Sequence, residues 1–192
     1  LFLVYLANLF FKQETWKKED PVKVGEESLT KETCLTRIIQ ENHAVCKEAI
    51  ISELGADQLK QFLKDQSYEN TNLTAHLSNT SDLLSLAKRF YNQPDFSNDV
   101  WEDLKLKLDP KANVIASTNP LLSGFQKLKP YGIFGAASET SSNYSYINNL
   151  YFIETVEEDP VRRRTIVLVY LATDTDAASV IDLAKAIEKS LI

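Results

Sequence analysis

Hydrophobic residues change their spacing about two-thirds of the way along the chain. The opening "LFLVYLANLFF" is almost purely apolar and ends at Lys12-Gln13, which predicts a buried helix over Leu1 to Lys12. Gln13 to Glu27 reads as a polar connection containing Pro21. In "ESLTKETCLTRIIQ" the apolar positions Cys34, Leu35, Ile38 and Ile39 recur at helical spacing, with Ser28 or Thr30 as the cap. "AVCKEAIISEL" makes a second helix that stops at Gly55 in a left-handed conformation. "ADQLKQFLKDQ" makes a third, with Leu59, Phe62 and Leu63 on one face. After the polar loop "YENTNLTAHLSNT", Thr80 or Ser81 caps "SDLLSLAKRFYNQ", and "DFSNDVWEDLKLKL" reads as helical up to Pro110. An irregular, Ser/Asn/Pro/Gly-rich stretch follows, long enough to suggest a functional or wrapping loop.

The final third shifts to strand character. "YGIFGAASE" is a candidate strand, while "YINNLYFIETV" and "RTIVLVYLATD" read as an antiparallel hairpin with a charged tip near Pro160. The run "IVLVYLA" is continuously apolar, as expected of a strand buried on both faces. "DTDAASVIDLAKAIEKSLI" is an amphipathic helix with an acidic N-terminus. Helices, then a strand meander, then a closing helix predict an α+β fold: a helical region plus an antiparallel sheet covered by a C-terminal helix. The expected organisation is one domain over residues 1–192, helical over about 1–110, with the sheet and last helix over about 130–192.

Composition narrows the function classes. Of the 192 residues 44% are hydrophobic and 25% charged, a globular balance with a formal net charge of -6. That charge argues against nucleic acid, whose phosphates reward clustered Lys and Arg. The one basic cluster, Arg162-Arg163-Arg164, follows Glu157-Glu158-Asp159 and reads as a mixed-charge hairpin tip. Cys34 and Cys46 are the 2 cysteines. Their spacing permits a disulfide without requiring one, and buried free thiols are the expected state. No cofactor or metal site is suggested. The apolar opening is too short for a bilayer span of about 20 residues. With 0 methionines, Leu1 is not a translation start, so an N-terminal part, and any membrane anchor, is expected upstream. The sequons at Asn72, Asn79 and Asn143 read as loop composition.

This order of elements resembles the serine β-lactamase and penicillin-binding protein superfamily. "SLTKETCLTRIIQ" matches the lead-in to that family's Ser-Asp-Asn corner, "CKEAIISELG" the helix after it, and "DQLKQFL" the next. "NTSDLLSLAKRFY" resembles the following capped helix, and the stretch from Asn148 to Ile192 resembles the closing hairpin and helix. An ungapped count from Leu29 to Gly55 puts the triplet on Asn42, His43 and Ala44. A shift of two residues would instead place Asn42 at the triplet's Asn and Gln40 at its Ser. "LFLVYLANLFF" resembles the continuation of Ser-x-x-Lys, with Leu3 at the lysine and the serine position just before Leu1. No lysine occurs between Tyr131 and Glu139, where the resemblance expects Lys-Thr-Gly.

Those departures carry chemical weight. The family's serine needs a base, and Leu3 cannot accept a proton. Ala44 supplies neither donor nor acceptor. Glu139 would repel the substrate carboxylate that a strand lysine attracts. Glu69 is the sole glutamate between Phe62 and Thr80, so no deacylation machinery is expected. His43 has the intrinsic pKa of a general base, but a lone corner histidine reads as a polar cap or surface residue; His76 lies in the polar loop. The literal strings Ser28-Leu-Thr-Lys31 and Ser85-Leu-Ala-Lys88 read as chance matches. No catalytic residue is therefore assigned; Leu3, Asn42, His43 and Ala44 are the degenerate motif positions that the resemblance implies. Three functions are carried forward. One is a silent β-lactamase-like domain that binds or scaffolds at the cell envelope, with a peptidoglycan peptide or an envelope protein as partner. Another is an active serine hydrolase whose nucleophile lies upstream. The last is an unrelated α+β interaction domain.

Overall fold

The computed structural model describes residues 1–75, 77–92, 95–113, 119–139, 144–155, 164–173 and 176–192; at 135–139, 144–147 and 173 it describes the backbone alone. The chain divides into two compact units, Leu1–Lys107 and Leu108–Ile192.

In the first unit, helix α1 (Phe2–Lys12) buries six consecutive residues, Phe2 to Ala7. A helix with apolar residues on every side has to be enclosed, and each large side chain so buried contributes about 1.5–3 kcal/mol. Tyr5 is the extreme case at 0% exposure. Its ring meets Phe62, Phe90 and Phe96 at centroid distances of 5.8, 4.8 and 5.0 Å. The phenol still needs polar partners: it donates to the Asp95 carboxylate and accepts from Arg89 Nε at 2.5 Å. Arg89 Nε also bonds Asp95 at 2.7 Å, which holds that carboxylate below its ordinary range.

Around α1 stand α2 (Lys31–Gln40), α3 (Ala44–Leu54), α4 (Ala56–Asp65), α5 (Thr80–Asn92) and α6 (Asn98–Lys107). Cys34, Leu35, Ile38 and Ile39 are all buried on α2, as are Leu59, Phe62 and Leu63 on α4. Thr30 is the α2 cap, accepting from the Thr33 amide at 3.1 Å. Gly55 ends α3 at φ +79 and ψ 142; the positive φ holds, but the ψ is extended rather than left-handed helical.

Three expectations for this unit need correction. The stretch from Gln13 to Glu27 is not only a connection. It holds strand β1 (Pro21–Val24), paired antiparallel with β2 (Glu27–Thr30) around Gly25, which adopts φ +65. Only Val22 and Val24 face inward, too few to show a strand period. Ser28 therefore lies on β2 rather than at a helix end. On α5 the cap is Asn79, whose Oδ1 accepts from the Asp82 amide at 2.8 Å, so Thr80 is already the first helical residue.

The second unit is a three-stranded antiparallel sheet of order β3-β4-β5, from β3 (Tyr131–Glu139), β4 (Tyr144–Glu154) and β5 (Thr165–Thr173). On one face its core gathers Phe134, Tyr151 and Ile153 with Leu121 of the short α7 (Pro120–Gly124) and Val180 and Ala184 of α8 (Ala177–Leu191). Asp176 caps α8 by accepting from the Ser179 amide at 2.9 Å. Helix α7 and a 3-10 turn over Pro110–Ala112 occupy parts of the stretch expected to be irregular. Strand β5 also differs from expectation: residues 165–170 are all half-buried and Leu171 is 36% exposed. Among the described strands β5 has one neighbour, so its apolar run is that of an edge. The expected hairpin tip, from Glu157 to Arg163, lies outside the described residues.

Glu188 of α8 ties the helix to the turn before β3. Its carboxylate accepts from the amides of Gln126, Lys127 and Leu128, with contacts from 2.7 to 3.1 Å. These bonds to the ionised form, the Leu128 amide foremost, hold its pKa below the ordinary 4.5. A depressed folded pKa means stability that is present above 4.5 and lost as pH falls below it through the folded value. Glu188→Gln should therefore unfold more easily at neutral pH yet lose less in acid, so thermal melts from pH 7 to 3 should converge on the wild type. Gly132 gives an independent check of the sheet: a Cβ there would lie 1.9 Å from the Leu150 carbonyl oxygen. Gly132→Ala should cost about 2–3 kcal/mol or more in urea unfolding, through displaced backbone rather than lost contact.

Candidate functional site

The corner between α2 and α3 contains three of the four motif positions. Helix α2 closes at Glu41, whose amide bonds the Arg37 carbonyl at 2.9 Å, and the chain then turns through Asn42 at φ +54. Few residues accept this left-handed conformation, and Asn is one of them. His43 returns to extended geometry (φ -63, ψ 108) and becomes the N-cap of α3. Its Nδ1 accepts from the Cys46 amide at 3.1 Å, which fixes the ring with its proton on Nε2. The lone pair that a general base would use is committed to the helix. Ala44 is exposed at the first position of α3 and brings no polar side-chain atom.

Leu3 lies inside α1 at 7% exposure, flanked by Phe2 and Val4 in the apolar interior. In the structure, then, Leu3 is a buried aliphatic side chain, Asn42 a bend, His43 a helix cap and Ala44 an exposed methyl group. In strand β3 the segment expected to hold the third motif pairs Phe134 with Asn149 and Ala136 with Ile147. The side chain of Glu139 lies outside the described residues, and so do all of His76 and Asn143.

One residue at the corner was not anticipated. Lys47, one turn into α3, is half-buried and donates from Nζ to Asn42 Oδ1. Burial lowers its pKa. Nothing in the local sequence marks it; a lysine one turn after a cap is ordinary on an exposed helix face.

The other candidates resolve into structural roles. Lys31 of the first literal string is 5% exposed, its ammonium 4.2 Å from the Trp16 ring centre and 3.3 and 3.8 Å from Glu53 and Asp20. Ser85 and Lys88 are both exposed on α5. Glu69 is exposed on the rim of a cavity of about 370 Å³ between α4 and the loop before α5, with Leu59, Leu63, Leu73 and Leu77 among its walls. That loop is organised by buried Asp82, which accepts from the Asn70 amide at 3.1 Å and the Thr71 hydroxyl at 2.8 Å. Asn72 accepts from Thr74 and Ala75 in a local turn, so two of the three sequons serve the backbone. Cys34 and Cys46 are both free and buried. Among the described residues no group of three or more His, Cys, Asp or Glu stands ready for a metal ion, and no helix is long and apolar enough to cross a membrane.

No protein-family model matches the chain, and no curated protein matches it in sequence. Solved structures do match in three dimensions. The extended-spectrum β-lactamase TLA-1 aligns with a TM-score of 0.74 at 14% identity, over 99% of this chain and 82% of its own. An ancestral class A β-lactamase aligns at 0.77 and 14%, over 98% and 82%. The chain has a β-lactamase-like fold. A β-lactamase from Francisella tularensis gives the same result, at 0.73 and 13% identity over 99% and 83%. The likeness expected from pattern extends to the α+β fold itself, and identities this low speak to fold alone.

The cap assignment at the corner is directly testable. His43→Ala should destabilise the protein by about 1 kcal/mol in denaturant unfolding, whereas His43→Asn, which restores an oxygen acceptor, should recover most of that loss.

Proposed function

We propose that this β-lactamase-like domain is catalytically silent and acts by binding or scaffolding at the cell envelope. Leu3 carries the reading. In the register of the resemblance it takes the place of the lysine that deprotonates the serine, and it is a buried aliphatic side chain with no lone pair to offer. His43 does not substitute, because its acceptor nitrogen holds the Cys46 amide. Ala44 relays no proton, and β3 contains no lysine to draw in a carboxylate. A peptidoglycan peptide or an envelope protein is the partner class that fits such a fold, and the envelope location rests on the same resemblance.

A second reading, an active serine hydrolase with its nucleophile upstream of Leu1, has Lys47 in its favour. A half-buried lysine pushed toward its neutral form is the kind of group that takes a serine proton, and Lys47 stands beside Asn42. The two readings separate on one gel. The full-length protein, including whatever residues are encoded upstream of Leu1, should carry no label after incubation with a fluorescent penicillin and denaturation. A covalent band would overturn the silent reading, and its disappearance in Lys47→Met would make Lys47 the base.

A further inference from the structure

The two cysteines meet where α2 and α3 turn back on each other. Both are 0% exposed, and the Cys34 thiol donates to the Cys46 carbonyl oxygen at 3.6 Å. That oxygen and the Cys46 side chain branch from adjacent backbone atoms, so Cys34 Sγ already stands in the neighbourhood of Cys46 Cβ. We propose that Cys34 and Cys46 are a redox pair that closes to an intramolecular disulfide clipping α2 to α3 across the Asn42–His43 corner. They are the 2 cysteines of these 192 residues. The bridge would span a separation of 12 residues, a short loop whose closure constrains the unfolded chain. It would also fasten the first turn of α3, because Cys46 is the residue whose amide His43 caps.

The oxidant is a small-molecule or protein disulfide. The thiolate of one cysteine attacks it, breaking its S–S bond and releasing one thiol as a mixed disulfide forms. The second cysteine attacks the mixed disulfide and releases the other thiol. Two protein thiols are oxidised to one disulfide, and the co-reactant disulfide is reduced to two thiols. In the folded chain burial and the neighbouring Cys46 push the Cys34 thiol up, so the exchange proceeds during folding or when the corner opens.

The test is to unfold the reduced full chain, refold it in an oxidised/reduced glutathione mixture, alkylate it under denaturing conditions and weigh it. The native reduced chain is treated with the same mixture in parallel. The expected product from refolding is monomeric, has lost two hydrogens, carries no alkyl group and yields a proteolytic peptide joining Cys34 to Cys46. Its thermal midpoint should exceed that of the reduced chain by about 5–10 °C. Cys34→Ser should show no such rise and should carry a single alkyl or glutathione group. Two alkyl groups per chain, glutathione on both cysteines, or a disulfide-linked dimer would each overturn the proposal.

Discussion

A helix without a polar face has to be surrounded, and the first unit is organised by that demand. Six successive residues of α1 are out of solvent, so α2 to α5 present their apolar stripes inward. The Tyr5 hydroxyl, drawn into that core with its ring, is met by Arg89 and Asp95. An unpartnered phenol in such a place would cost about 1–3 kcal/mol. The same demand bears on Leu3. A lysine in an apolar helix interior needs a counter-charge and a proton-transfer partner to justify its desolvation, whereas leucine needs only neighbours.

Much of this was legible in the chain because long stripes leave a period. Cys34, Leu35, Ile38 and Ile39 predicted the buried face of α2, and Leu59, Phe62 and Leu63 that of α4, since packing and spacing say the same thing there. Legibility failed where an element was short or where several residues could do one job. β1 and β2 have four residues each and bury one side of a hairpin with two valines. Asn79, Thr80 and Ser81 are all good caps, and only the fold selects Asn79. In β5 the unbroken apolar run stated composition but not how many neighbouring strands it would have.

At the candidate site the corner itself was legible, whereas what its side chains do once folded was not. Sequence alone placed a bend at Asn42 and doubted His43 as a base. It could not show the ring nitrogen turned onto the Cys46 amide, because an N-capping histidine and a catalytic one share a side chain and differ in direction. Lys47 was missed for the same reason. Its significance comes from partial burial and from Asn42, both products of folding.

In the second unit, Asn149 on β4 is 2% exposed; its Oδ1 accepts from Asn119 Nδ2 at 2.7 Å, and Asn119 in turn accepts from the Tyr151 hydroxyl at 3.1 Å. Asn119 Oδ1 also holds the Leu121 amide, so neither amide is free to rotate, and Asn149 Nδ2 finds no partner among the described residues. Such an arrangement is poor for stability and good for alignment. Sliding β4 by a single residue would swing Asn149 to the opposite side of the sheet and strand Asn119 among hydrocarbon. This small cluster of two amides and a phenol thus works as a ratchet tooth, trading some binding energy of the core for one permitted pairing of the strands.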